Sequence, residues 1–275
     1  MSVYLAEFIG VSILIFLGCG VIAGNSLKES GTFKVGSLAI NLVWGFAVAI
    51  AMYAVGDISG AHLNPVITVT QALRGNLSWT LVPGYVLAQV LGAMFGSFLV
   101  YLEFLPHWEV TEDETVKLDV FVTSPQIQHT MGNFISEYLV TFTLIFFLFI
   151  LDKNQFVEGI KPLVVGGIIF SLGTCFGGVT GAALNPARDL GPRLAHFLLP
   201  IPGKGSCDFG YAWIPMTAPL LGGITATFVY LAIYEKVIDV RLFVIMLLNI
   251  VVLSLIKVNS KINLKKLSFI KMHKS

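Results

Sequence analysis

The sequence predicts an all-α membrane protein with six transmembrane helices, two re-entrant half-helices and an inverted internal repeat. Three observations predict it: a low and uneven charge content, a six-residue turn segment that occurs twice, and three spans in each copy. Of 275 residues, 56% are apolar and only 12% charged, with a mean hydropathy of +0.84. A soluble domain carries about twice that charge. No Asp, Glu, Lys or Arg occurs in 8–27, 35–56, 75–102, 138–151, 162–187 or 209–234. At 1.5 Å per residue, most of these windows cross a hydrocarbon core of about 30 Å as a helix. A soluble enzyme, a nucleic-acid binder or a disulfide-stapled secreted domain does not fit such a chain.

The first span, about 3–24, carries Glu7 and lacks a Lys or Arg n-region, so it reads as a retained helix rather than a signal peptide. The others are expected at about 36–56, 80–102, 133–151, 160–177 and 211–234. Small residues recur at helix-packing spacing in Gly20–Gly24 and Gly92–Gly96, and in lipid such faces let backbones approach closely. Between spans two and three lies Gly60-Ala61-His62-Leu63-Asn64-Pro65, and between five and six lies Gly181-Ala182-Ala183-Leu184-Asn185-Pro186. Each is followed by an apolar stretch too short to span. Each half also opens with a carboxylate near the start of its first span, Glu7 and Glu137. The chain is therefore read as one domain over 1–235, with repeats 1–102 and 133–235. Three spans per copy is odd, so the second copy inserts upside down. Such repeats place a site near the bilayer midplane.

The connector 103–132 holds six carboxylates against Lys117 alone, and eight of the seventeen Lys and Arg fall at or after Lys236. The positive-inside rule then places the connector outside and both termini in the cytoplasm, although Lys28 and Lys34 argue weakly against it. Residues 236–275 form an apolar, then lysine-rich extension. A seventh span would put six lysines outside, so an interfacial helix over 240–256 is expected.

Asn is a preferred N-cap and Pro suits the first helical position, so Asn64-Pro65 and Asn185-Pro186 each start a short helix. Inversion makes the two half-helices meet N-terminus to N-terminus at mid-membrane. Their positive dipole ends and two Asn amides orient a neutral oxygen and repel cations, hydronium included. Residues Gly60 to His62 and Gly181 to Ala183 run non-helically, which is tolerated at that depth only beside protein or a watery cavity. Their carbonyls are expected to form an acceptor ladder. Arg188, just past the second turn, is an intramembrane charge and a functional candidate by default.

These residues resemble the aquaporin and glycerol-facilitator family over about 1–236, and its glyceroporin branch more closely. The carrying stretches are the paired Asn-Pro motifs, Asn185-Pro186-Ala187-Arg188-Asp189-Leu190-Gly191-Pro192-Arg193, and Pro219-Leu220. The resemblance implies six helices and two half-helices around one pore per subunit, in a homotetramer. It places the selectivity filter on Trp44, Gly173, Ala182 and Arg188. The position of Ala182 is Phe in the familiar glycerol facilitators, so a wider constriction is expected unless Phe176 refills the gap. Val66 stands where the family has Ala, which the second motif keeps as Ala187, and its bulk is expected to adjust the spacing of the half-helices. Glu7 and Glu137 are implied to brace the loops before each Asn, His62 to contribute its carbonyl, and Asp189 to accept hydrogen bonds from loop backbone.

The implied activity is passive flow of glycerol and water, with urea, dihydroxyacetone and lactic acid as further candidates, and exclusion of ions and protons. A water-selective channel and an alternating-access transporter are the alternatives. No Ser/His/Asp, paired-carboxylate or metal-ligand spacing falls in the spans, so neither enzymatic chemistry, a cofactor nor a metal is expected. The net charge of +1 suggests no nucleic-acid partner.

Overall fold

The computed structural model describes residues 1–272, with side chains through Asn259. In chain order the helices are α1 (Val3–Ser26), α2 (Ser37–Ser59), α3 (Pro65–Leu73), α4 (Val82–Glu103), α5 (Leu105–Val110), α6 (Glu114–Asp119), α7 (Thr130–Leu151), α8 (Lys161–Thr180), α9 (Pro186–Leu198), α10 (Phe209–Tyr234) and α11 (Val240–Met272). No strand occurs among the described residues. The six expected spans appear as α1, α2, α4, α7, α8 and α10, and the half-helices as α3 and α9. Each half-helix begins at its proline, where the missing N–H leaves no donor unpaired.

Close helix crossings hold the bundle together, because in lipid the contact itself replaces the hydrophobic drive. On α4, a Cβ at Gly96 would lie 2.6 Å from the Ser12 carbonyl oxygen of α1. Gly222 of α10 meets the Tyr138 carbonyl of α7 in the same way. Between the halves, a Cβ on Gly45 or on Gly166 would each lie 2.5 Å from the other's carbonyl oxygen. The second spaced pair behaves differently. Gly20 has nothing within 4 Å, and Gly24 faces Thr32. Spacing puts small residues on one face of a helix, but not which surface that face meets.

Val66 is fully buried, and its side chain points at Gly223 of α10 among Ile145, Phe149 and Ala226. Its bulk is thus taken up by a glycine on α10 instead of setting the distance between the half-helices. A Gly223→Ala variant is expected to lose about 1–3 kcal/mol by overpacking against the Val66 Cγ1. Adding Val66→Ala should recover much of that loss, with a coupling of about 0.5–3 kcal/mol. Thermal unfolding of the single and double variants in detergent measures it, and simple additivity would refute the contact.

The connector is more structured than an acidic loop. Trp108 is fully buried and stacks on Phe121 at 5.6 Å, and Val120, Phe121, Val122 and Thr123 are all buried. Glu109, Glu112, Asp113 and Glu114 are exposed, while residues 120–123 dip into the bundle.

The C-terminal helix departs from the interfacial placement that its lysines suggested. Arg241 sits over the Phe228 ring at 5.0 Å, and the Asn249 amide donates to Tyr138 Oη at 3.0 Å and Thr225 Oγ1 at 3.1 Å. Ile256, Val252 and Leu253 pack with Phe134, Tyr211 and Ile214. Helix α11 therefore runs antiparallel to α10 along most of its length and meets the first half of α7. Its stretch Val240–Asn259 joins the six expected spans among seven helices, in the described residues, long and apolar enough to cross a membrane. The residues Ile245, Asn249, Val252 and Ile256, spaced 4-3-4, form one face. The lysines from 261 onward lie outside the residues whose side chains are described.

Candidate functional site

The lumen is built from the two turns before the half-helices. Residues Gly60, Ala61 and Leu63 take φ values of 81, 46 and 55°, and Gly181, Ala182 and Leu184 repeat them at 85, 47 and 58°. Four of these six are not glycine. A left-handed backbone on such residues costs of order 1–3 kcal/mol each and persists only when the surroundings impose it. Two buried carboxylates impose it. Glu7 accepts from Ser59 Oγ at 2.6 Å, His62 N at 2.9 Å, Leu63 N at 2.7 Å and Gln89 Nε2 at 2.8 Å. Glu137 accepts from Thr180 Oγ1 at 2.6 Å, Ala183 N at 2.9 Å and Leu184 N at 3.3 Å. With the N–H groups turned to a carboxylate, the neighbouring carbonyls are free of the loop's own pairing. Gly60, Ala61, His62, Gly181, Ala182 and Ala183 all line the lumen.

The turns are tied to each other across the centre. Asn64 caps α3 by accepting from Val66 N at 2.9 Å, while its Nδ2 donates to the Leu184 carbonyl at 3.0 Å. Asn185 caps α9 by accepting from Ala187 N at 3.0 Å and Arg188 N at 3.2 Å, and its Nδ2 donates to the Leu63 carbonyl at 2.8 Å. Each amide group has two N–H donors, so one per Asn is left for the lumen. The half-helices thus meet N-terminus to N-terminus, where their dipoles favour an electron-rich atom and oppose a cation. His62 lies beside them, with Nδ1 at 3.2 Å from Thr68 Oγ1 and its ring 5.0 Å from that of Tyr85.

Trp44, Gly173, Ala182 and Arg188 line this same lumen, a cavity of about 550 Å³. It reaches Asp119, Ser124 and Gln126 at the connector end and Asp152 and Lys161 at the other. The Arg188 guanidinium lies over the Trp44 ring at 4.5 Å, and its Nη1 donates to the Phe121 carbonyl at 2.9 Å. Ala182 is not compensated by Phe176, whose side chain is exposed on the outer face of α8 and does not line the lumen. The wall there includes Gly173, Gly177, Gly178 and Gly181. At the mouth, burial pushes the Asp119 carboxyl up from its ordinary range, and a hydrogen bond from Ser124 Oγ at 2.6 Å pulls partly against that.

Thr123, Gln89 and Lys204 also position this site and belong to no motif in the sequence. Asp189 Oδ2 accepts from Thr123 N at 3.0 Å and Thr123 Oγ1 at 2.8 Å, and Arg193 Nε pairs with Oδ1 at 2.9 Å. The pore helix is thereby tied to the connector two residues beyond the carbonyl that holds Arg188. Gln89 donates to both Glu7 and Thr68 Oγ1. Lys204 Nζ closes the far end of α9 by donating to the carbonyls of His196, Phe197 and Leu199 at 2.7–2.8 Å, a favourable place for a cation. The available signals are an apolar run, 120–122, inside an acidic connector, and a lone Gln in a charge-free span.

Comparison with known proteins adds an independent line. A family model described as major intrinsic protein matches residues 1–230. The glycerol uptake facilitator protein of Bacillus subtilis is 46% identical over 253 residues, covering 92% of this chain and 92% of that protein. A probable glycerol uptake facilitator protein of Thermotoga maritima is 47% identical over 230 residues, covering 84% of this chain and 98% of its own. Among solved structures, that of the aquaglyceroporin from Plasmodium falciparum aligns with a TM-score of 0.72 at 30% identity, over 88% of this chain and 98% of that one.

Proposed function

The chain belongs to the major intrinsic protein family, and from that premise we infer that it is a passive membrane channel conducting glycerol and other small uncharged solutes down their gradients. The observation that carries this reading is one lumen running between the two Asn-capped half-helices and past Arg188 on Trp44. A solute hydroxyl loses water on entry, and unreplaced hydrogen bonds there are expensive. The loop carbonyls replace them as acceptors, while the Asn64 and Asn185 amides and Arg188 replace them as donors. Trp44 offers an apolar face to the carbon edge. Ions are excluded because this lumen does not offset their dehydration, and cations are further opposed by the dipoles and by Arg188. No covalent step is involved.

Water is expected to pass as well, with urea, dihydroxyacetone and lactic acid as further candidate solutes. The wall of Gly173 and Ala182 disfavours a water-selective ring, which needs a narrower and more polar opening. An alternating-access transporter would saturate and show counterflow. We place the channel in the cell membrane as a homotetramer, with lipid or neighbouring subunits covering the exposed α2 stripe of Leu38, Leu42, Phe46 and Ile50. The N-terminus is assigned to the cytoplasm and the connector to the outside. With α11 antiparallel to α10, residue 259 then emerges on the connector side.

Stopped-flow swelling of proteoliposomes across water, glycerol, urea, erythritol and lactic acid tests the channel. Glycerol should enter far faster than through bare lipid and without saturation. An Ala182→Phe variant should keep glycerol flux within a few-fold and lower that of erythritol. Glycerol entry no faster than through protein-free vesicles would overturn the reading.

A further inference from the structure

We propose that Gly18 of α1 is a positioning residue for solute selection: its bare backbone is the seat of the Trp44 ring and sets how far that ring stands into the lumen. The proposal deepens the channel reading above and rests on it. A Cβ on Gly18 would lie 2.4 Å from Trp44 Cη2, 2.4 Å from Cζ3 and 2.6 Å from Cε3. Three consecutive ring carbons at nearly one distance mean that Gly18 approaches the face of the six-membered ring, not its edge. Gly18 is buried and does not line the lumen, whereas Trp44 does. The ring therefore stands between α1 and the solute.

The seat itself is fixed. Helix α4 presses on the α1 backbone, where a Cβ on Gly92 would lie 2.4 Å from the Phe8 carbonyl oxygen and one on Gly96 2.6 Å from that of Ser12. The residue after Gly18 ties α1 to the other side of the filter. The Cys19 thiol donates to the Phe121 carbonyl at 3.9 Å, and the same oxygen accepts from Arg188 Nη1 at 2.9 Å. Gly18 and Cys19 thus hold the aromatic face and the cation in one frame. Glycine inside a helix is a disadvantage against alanine unless packing requires it. Here a side chain fits only if the ring moves, and the open side of the ring is the lumen. Such a displacement acts on glycerol before water, because glycerol has a carbon edge to lay on the ring and water has none.

Stopped-flow measurements compare water and glycerol entry into proteoliposomes for the parent, Gly18→Ala, Trp44→Phe and the double variant. Gly18→Ala should lower glycerol entry by about tenfold and water entry by no more than about threefold, as the overpacking is relieved into the lumen. Phe lacks the outer part of the indole that meets Gly18. In the Trp44→Phe background, the same Gly18→Ala change should therefore alter glycerol entry by less than about twofold. A loss of folded channels would lower both solutes in proportion. Proportional losses would overturn the proposal, as would a Gly18→Ala effect on glycerol that is equally large in both backgrounds. If Gly18→Ala alone does not fold, recovery of folding and glycerol entry on adding Trp44→Phe supports the seat; a double variant that also fails overturns it. A parent protein that passes no glycerol would instead remove the channel reading itself.

Discussion

An Asp189→Ala variant is expected to lose about 3–5 kcal/mol of stability, together with the solute selectivity of whatever protein still folds. Both Asp189 and Arg193 are fully buried. Their contact is bidentate, with Nε to Oδ1 at 2.9 Å and Nη2 to Oδ2 at 3.1 Å. Without the carboxylate, the guanidinium keeps its bonds to the Cys207 and Asp208 carbonyls but remains an uncompensated charge. The second effect travels through the connector. Asp189 holds Thr123, and the carbonyl two residues earlier holds Arg188. A joint Asp189→Leu, Arg193→Leu replacement removes both charges, and a well-packed apolar pair is often neutral. It should recover most of the stability while leaving Arg188 loosely held. Unfolding in detergent and the erythritol-to-glycerol ratio in vesicles separate the two effects. An Asp189→Ala protein as stable as the parent would contradict the charge-pair account.

Glu7→Leu is expected to abolish conduction. Four donors converge on this carboxylate from α2, α4 and the turn before Asn64. Each stranded donor costs about 1–3 kcal/mol, and the left-handed residues lose what imposes them. The milder Glu7→Gln leaves one oxygen in place. Its NH₂ then faces either the Leu63 N–H and Gln89 or the Ser59 and His62 donors, so donors oppose donors. We expect at least a tenfold loss of glycerol entry with helical circular dichroism unchanged. Glu137→Gln should lose less, because it meets three donors, one of them at 3.3 Å. Conduction by Glu7→Gln equal to that of the parent would sink this account of the loops.

Much of this was legible because lipid leaves a chain few options. Spans had to be nearly free of charge, so the windows without Asp, Glu, Lys or Arg located most of α1, α2, α4, α7, α8 and α10. The Asn-Pro pairs located the half-helices, since capping and ring chemistry are local properties. Directions of side chains were harder. Val66 faces α10 and Gly24 faces Thr32, because a helix position fixes an angle but not the neighbour at that angle. The folded connector was hidden by composition: its acids dominate the count, while Trp108 and Phe121 form its structure. The lysines after Ile256 point α11 to the membrane surface, whereas Asn249 points it into the bundle. A single amide in an apolar run finds hydrogen-bond partners only inside the bundle, here Tyr138 and Thr225.

The crossed amides at the centre also constrain how the protein comes into being. Asn64 reaches the Leu184 carbonyl across 120 residues of chain. At synthesis rates of roughly 5–20 residues per second, that partner emerges roughly 6–24 s after Asn64 itself. Throughout that interval the first turn has its carboxylate brace but not its counterpart, so α3 lacks the partner that would lock it at depth. Neither half made alone can complete the centre. Co-expressed halves, by contrast, should find each other, because the bonds that close the lumen need two turns and not one continuous chain.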